Sequence, residues 1–255
     1  MNIKNKISVV GIGPGGLDEM TPRARQAIAS VEIVAGYNTY IKLIENIISD
    51  KKIIGRAMMQ EVERCQLAIA EALSGRNVAV VSSGDAGVYG MAGLVLEMIL
   101  DLPKNKRPHF EIIAGVSAVN AAAAILGAPL MNDFAIISLS DLMTPWELIK
   151  RRVSSAAAGD FVIALYNPKS KRRVQQLAEV QKLLLEFRKK NTPVGIVTNA
   201  GRSGETKVIS TLENFTQEEV NMFSLVIIGN SQTFVKEGFM ITPRGYQLKG
   251  EMICD

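Results

Sequence analysis

Histidine is almost missing from this 255-residue chain, and His109 is the only one. A histidine-rich metal site is therefore excluded, and its position before an apolar run gives His109 a structural role. Cysteine is scarce as well. Cys65 and Cys254 stand far apart, with neither metal-ligand spacing nor the pattern of a disulfide framework. That usage fits a reducing cytoplasm. Aromatic residues make up 5% of the chain, with a single Trp. Basic clusters occur at 104–109 (KNKRPH), 169–173 (KSKRR) and 188–190 (RKK), and no aromatic platform interleaves with them. Nucleic acid is thus not an expected partner. No apolar run reaches the ~18 residues of a membrane span. The start, MNIKNKISVV, does not resemble the apolar core of a signal peptide. The expectation is a cytoplasmic protein without a membrane partner.

What is present is a core. Hydrophobic residues are 47% of the chain and charged ones 21%, with a net charge of +4. The length suits one or two domains. Strand-like runs lie near 7–11, 31–35, 52–55, 77–82 and 109–113. A second set lies near 134–139, 160–165, 193–198, 206–210 and 224–228. Helical stretches separate them, among them MQEVERCQLAIAEALSG, VSAVNAAAAILG and SKRRVQQLAEVQKLLLEFRKK. The alternation predicts an α/β fold with largely parallel sheets. Two sets of five predict two α/β lobes, at 1–128 and 129–241, followed by a weakly periodic tail at 242–255. The join falls in LGAPLMND, where Gly127 is placed to cap a helix and Pro129 to stop it.

The first strand runs into GIGPGG, in which Gly11, Gly13 and Gly16 spell G-x-G-x-x-G. That spacing is the mark of dinucleotide-binding folds, but alone it is weak. There the helix opens inside the glycine motif, so that its N–H groups meet a pyrophosphate. Here the helix signal comes later, with Thr21 as N-cap and Pro22 as first helical residue. Pro14 removes an N–H from the loop, and Asp18 and Glu19 add negative charge. The only acid in the second strand region, Glu32, stands at its start rather than its end. A nicotinamide-dinucleotide oxidoreductase is accordingly disfavoured.

Two further small-residue loops follow strands. In SSGDAGVYGMAG, Gly84, Gly87, Gly90 and Gly93 permit close backbone approach, and Asp85 sits at a strand's carboxyl end, where open α/β sheets bind ligands. A plain Gly-Asp turn accounts for it equally well. In AGVSAVNAAAA, Ser117 reads first as an N-cap and second as a ligand donor.

Taken together, GIGPGGLDEMTPRA, GYNTYI, SSGDAGVYGMA, GVSAVNAAAAILGAPL, DFAIISLSDLMTPW, DFVIALYNPKSKRR and TPRGYQL span nearly the whole chain. In these stretches the sequence resembles the tetrapyrrole methylases, the S-adenosylmethionine-dependent enzymes of corrin and sirohaem synthesis. GYNTYI, SLSDLMTPW and YNPKSKRR point to the branch that methylates carbon 17 and contracts the ring. One departure is Ala114-Gly115, where the family usually has Pro-Gly.

The resemblance implies two α/β lobes with the active site in the cleft between them, usually in a homodimer. It implies S-adenosyl-L-methionine as cofactor, no metal, and a tetrapyrrole substrate, a precorrin or cobalt-precorrin. Carried over by motif, the donor would meet Pro14, Ser83, Gly84, Asp85, Val88, Ser117 and Ala118, then Tyr166, Asn167, Asn199 and Ala200. Extrusion of carbon 20 needs proton transfer at an oxygen. Asp141 is the favoured candidate beside Ser138, Tyr89 and Asp85, and its alternative role is a helix cap or turn. Lys169, Lys171, Arg172 and Arg173 are candidate anchors for a polycarboxylate, or else a solvated basic helix start. Rival readings are a corrin methyltransferase acting at another carbon and a ligand-carrying α/β protein without turnover.

Overall fold

The computed structural model describes residues 5–57, 59–170 and 173–246. The chain forms two compact units. One runs through Ala121 and includes Gly201–Ser203; the other comprises Ala122–Ala200 and continues from Gly204.

The first unit holds β1 (Lys6–Gly11), β2 (Ile33–Tyr37), β3 (Lys52–Arg56), β4 (Val78–Ser82) and β5 (His109–Ile113) in the order β3-β2-β4-β1-β5. Every pairing is parallel. The inner strands β1, β2 and β4 read as apolar runs because both their faces are covered, while the edge strands β3 and β5 are partly exposed. Ile7, Val9, Val78 and Val80 pack with Cys65, Ala68 and Ile99 on one side. Val10, Ala79, Val81 and Val34 pack with Ala24 and Ile28 on the other. The helices are α1 (Pro22–Ala29), α2 (Asn38–Leu43), α3 (Glu61–Leu73) and α4 (Ala92–Leu100); α5 (Ala118–Leu126) carries the chain into the second unit. The Thr21 hydroxyl accepts from the Ala24 N–H at 3.2 Å and Pro22 is the first helical residue, as the sequence predicts.

In the second unit a short β6 (Gly127–Ala128) precedes β7 (Phe134–Ser138), α6 (Trp146–Ala158), β8 (Val162–Tyr166) and α7 (Gln176–Leu185). Then follow β9 (Pro193–Thr198), β10 (Thr206–Thr211), β11 (Ser224–Ile228), β12 (Phe234–Lys236) and β13 (Phe239–Ile241). The main sheet has the order β10-β9-β11-β8-β7, and β12-β13-β6 form a smaller one. Phe215, Ile149, Val153, Val180 and Leu184 pack the core on Ile163, Leu165 and Ile196.

All ten strand-like runs are strands, but the second sheet is not largely parallel. Only β7 and β8, joined by α6, run parallel; β8-β11, β11-β9 and β9-β10 are antiparallel. Seven residues separate β9 from β10, too few for the crossover that parallel pairing requires. The helix expected over 170–190 is confined to α7. Before it, Ser170 and Arg173 close a turn through Ser170 N–H to Arg173 C=O and Arg173 N–H to Ser170 Oγ, both at 3.1 Å. Gly127 follows the last helical residue with φ +129°, as a cap position requires, and then pairs with Met240. His109 opens β5, its N–H donating to the Asn5 carbonyl at 2.9 Å. Among the described residues no helix is long and apolar enough to cross a membrane.

Candidate functional site

Strands β4, β1 and β5 are neighbours in a parallel sheet, so their carboxyl ends lie side by side. The loops leaving them are the three glycine loops of the sequence. They meet backbone to backbone. Gly13 and Gly84 exchange hydrogen bonds of 3.1 and 2.7 Å. A Cβ on Gly11 would stand 2.7 Å from both the Gly115 nitrogen and the Gly84 oxygen, and one on Gly115 would strike the Gly84 oxygen. Only glycine permits this approach.

Asp85 clasps two of the loops. Its Oδ1 accepts from the Gly87 N–H at 2.7 Å and its Oδ2 from the Gly115 N–H at 2.9 Å. The carboxylate keeps further lone pairs. Gly84 has φ +69°. Val88 follows in this loop, and exposed Tyr89 is held at φ +53°. Non-glycine residues in that region cluster where a backbone is held for function. Ser117 precedes α5 and its carbonyl accepts from Asn120 and Ala121, while Ala118 is the first helical residue. Ser117 thus occupies the cap position the sequence predicts.

The first loop is not a phosphate cradle. The Gly13 N–H is given to Gly84 and the Gly16 N–H to the Gly201 carbonyl at 2.8 Å. Pro14 has no N–H, and α1 opens six residues beyond Gly16. Glu32 lies before β2 and accepts from the Asn77 N–H at 2.9 Å, far from any strand's carboxyl end. The features that hold a dinucleotide are absent at each step.

Sequence reasoning missed Arg202. Gly201–Ser203 belongs to the first unit although it is far along the chain. Arg202 Nε donates to the Pro14 carbonyl and Nη2 to the Ser83 hydroxyl, each at 2.6 Å. Two donor candidates, Pro14 and Ser83, are therefore held by one guanidinium. No local signal in AGRSGET announces it.

In the second unit β7, β8 and β9 point the same way, because β8 and β9 each run antiparallel to β11. Their carboxyl ends carry Ser138, Tyr166 with Asn167, and Asn199 with Ala200. Asn167 (φ +51°) and Asn199 (φ +56°) are left-handed, a conformation asparagine tolerates better than most residues. Asn167 Nδ2 donates to Ser138 Oγ at 3.0 Å, and Asn199 Nδ2 to the Gly204 carbonyl at 3.3 Å. Asp141 does not cap α6, whose N-cap is Pro145; its Oδ2 accepts from Gln176 Nε2 at 3.0 Å. Lys169 and Arg173 lie ahead of α7 rather than on it, and Arg173 Nη1 is buried without a partner. Lys171 and Arg172 lie outside the described residues.

Known proteins share this sequence and fold. The profile of the tetrapyrrole (corrin/porphyrin) methylases matches residues 6–216. The chain is 51% identical over 243 residues to a probable cobalt-factor III C(17)-methyltransferase of Salmonella typhimurium, covering 95% of this chain and 100% of that one. It is 48% identical over 249 residues to the cobalt-factor III methyltransferase of Priestia megaterium, covering 97% of this chain. It spans 46% of that longer relative, about half its length. Among solved structures, the methyltransferase CobJ superposes with a TM-score of 0.87 at 33% identity, over 93% of this chain and 99% of that one.

Proposed function

The chain belongs to the tetrapyrrole (corrin/porphyrin) methylases, and from that premise we propose that it is the S-adenosylmethionine-dependent methyltransferase of corrin synthesis that methylates carbon 17 of precorrin-3B or cobalt-factor III with ring contraction. The observation that carries this reading is the meeting of three glycine loops at the carboxyl ends of β4, β1 and β5, with the Gly13 and Gly16 N–H groups of the first loop already committed within the protein. Such a place suits a nucleoside without phosphates. The match to relatives that bear this activity in their names supports the substrate.

The donor residues assigned in the first unit are Pro14, Ser83, Gly84, Asp85, Val88, Ser117 and Ala118. Those assigned in the second are Tyr166, Asn167, Asn199 and Ala200. The loops fit the group: bare backbone at Gly84 and Gly87 admits close packing, and Ser83 and Asp85 offer polar atoms. When bound, S-adenosylmethionine supplies a methyl group already activated on a sulfonium. The protein's part is to align it with a ring carbon and keep water out, which is worth up to ~7–11 kcal/mol in ideal intramolecular systems. Asp141, oriented by Gln176, is assigned the proton transfer of ring contraction. Lys169 and Arg173 are assigned to carboxylates of the macrocycle, the unpartnered Nη1 of Arg173 supporting a charged ligand. A cytoplasmic homodimer completes the reading; light scattering should then report about twice the 27.7 kDa chain.

The test is a reaction of cobalt-factor III with methyl-¹³C-labelled donor. The expected product carries the label on carbon 17 of a contracted ring. Label on another carbon would move the chain to a different step of corrin methylation, and no transfer would overturn the reading.

A further inference from the structure

Arg202 does more than tie Pro14 to Ser83. Arg202 is half-buried, and among the described residues its Nη1 donates no hydrogen bond. The side chain is largely desolvated, which pulls its pKa down. A desolvated cation calls for an anion. Among the described residues, none of the ion pairs involves Arg202. Its electrostatic neighbour is the Tyr40 phenol, and burial pushes that phenol up, so it stays neutral and cancels no charge.

A second cation, Arg64, also acts on Tyr40. Arg64 is 2% exposed, with its Nε buried and unpartnered. Among the described residues it donates to the Ala57 carbonyl at 3.5 Å and the Met91 sulfur at 3.6 Å. Glu61 is the one acid that acts on Tyr40, as the smallest of its influences, and Glu61 Oε1 accepts from the Met59 N–H rather than pairing with either arginine. Among the described residues, the Tyr40 region, part of the GYNTYI motif, thus carries two guanidinium charges without a paired carboxylate.

We propose that Arg202, backed by Tyr40 and Arg64, is a carboxylate-binding site beside the glycine loops, with Nη1 making the direct contact. The proposal rests on the donor-site reading above. Both ligands of that reading carry carboxylates, on the methionyl end of the donor and on the side chains of the macrocycle, and neither carries phosphate. A guanidinium already fixed through Nε and Nη2 loses little freedom on taking a carboxylate.

The test titrates wild type, Arg202→Met and Arg202→Lys with S-adenosylhomocysteine, which has the carboxylate, and with 5′-methylthioadenosine, which lacks it. KM for cobalt-factor III is measured alongside. If the donor's carboxylate binds here, Arg202→Met loses S-adenosylhomocysteine affinity by about tenfold or more beyond any loss of methylthioadenosine affinity, the scale of a charged hydrogen bond. If the macrocycle's carboxylate binds here, the two nucleosides change alike and KM rises by about tenfold. In either case Arg202→Lys, which retains the charge, loses less, and it serves alone if the methionine variant does not fold. Equal loss of both nucleosides without a rise in KM would reduce Arg202 to a brace for Pro14 and Ser83 and overturn the proposal, as would no change in any quantity. Failure of the wild-type chain to bind either nucleoside would overturn the donor-site reading itself, and this proposal with it.

Discussion

The two sheets present their loops by different means. In the first, all strands run one way, so every carboxyl end faces one edge and adjacent loops crowd. Glycine relieves the crowding: Gly11, Gly84 and Gly115 meet at separations no side chain allows. In the second, antiparallel β11 separates β8 from β9, so the loops leaving those two strands are spaced apart. There asparagine as well as glycine takes the left-handed positions, at Asn167 and Asn199 beside Gly204. Loop chemistry thus follows strand direction.

The largest effect expected tests the second sheet's core. Phe215 is fully buried, so Phe215→Ala should cost about 3–5 kcal/mol in denaturant unfolding; a cost below ~1 kcal/mol would show that the core collapses around the gap. Next comes the crowding claim. Gly115→Ala drives a methyl into the Gly84 carbonyl, and donor affinity measured by calorimetry should fall by about a hundredfold or ~2.7 kcal/mol. An unaltered affinity would show that the loops are looser than their contacts. Asp85→Ala leaves the Gly87 and Gly115 N–H groups without their acceptor. It should weaken donor binding by at least ~1 kcal/mol.

Smaller effects sharpen the contrast. Gly93 lies in α4 and a Cβ there meets nothing within 4 Å. Gly93→Ala should therefore stabilise the protein by about 0.4–1 kcal/mol in thermal melts, the opposite of Gly115→Ala in the same unit. Burial pushes the Cys65 thiol up to about 11 against the opposing charge of Arg64. Native protein at pH 8 should leave Cys65 unalkylated by iodoacetamide, read from its peptide mass. The folded state also holds this proton more tightly than the unfolded chain. Its contribution to stability is full below pH ~9 and declines as pH rises toward 11.

The strands were legible because fully buried runs such as SVVG and VAVVS have no other use. Direction was not. An apolar run reads alike in parallel and antiparallel sheets, and only the short β9–β10 connection separates them. Helix entry at Thr21 and Pro22 was legible because caps act locally. The two-residue β6 has no periodicity to read; it exists because Met240 and Ile241 return to pair with it. Within the candidate site, Gly84, Asp85 and Ser117 could be read from strand–loop–helix order. Arg202 could not, because its partners Pro14 and Ser83 are distant in sequence and its own loop looks like any polar turn.

The central claim is that the glycine loops hold S-adenosylmethionine rather than a dinucleotide. Calorimetric titration with S-adenosylhomocysteine, with NAD as control, tests it most directly. Saturable one-site binding of the first and none of the second is the predicted result. Binding of NAD without S-adenosylhomocysteine would mean that Gly11, Gly13 and Gly16 serve a pyrophosphate after all, and would contradict the account.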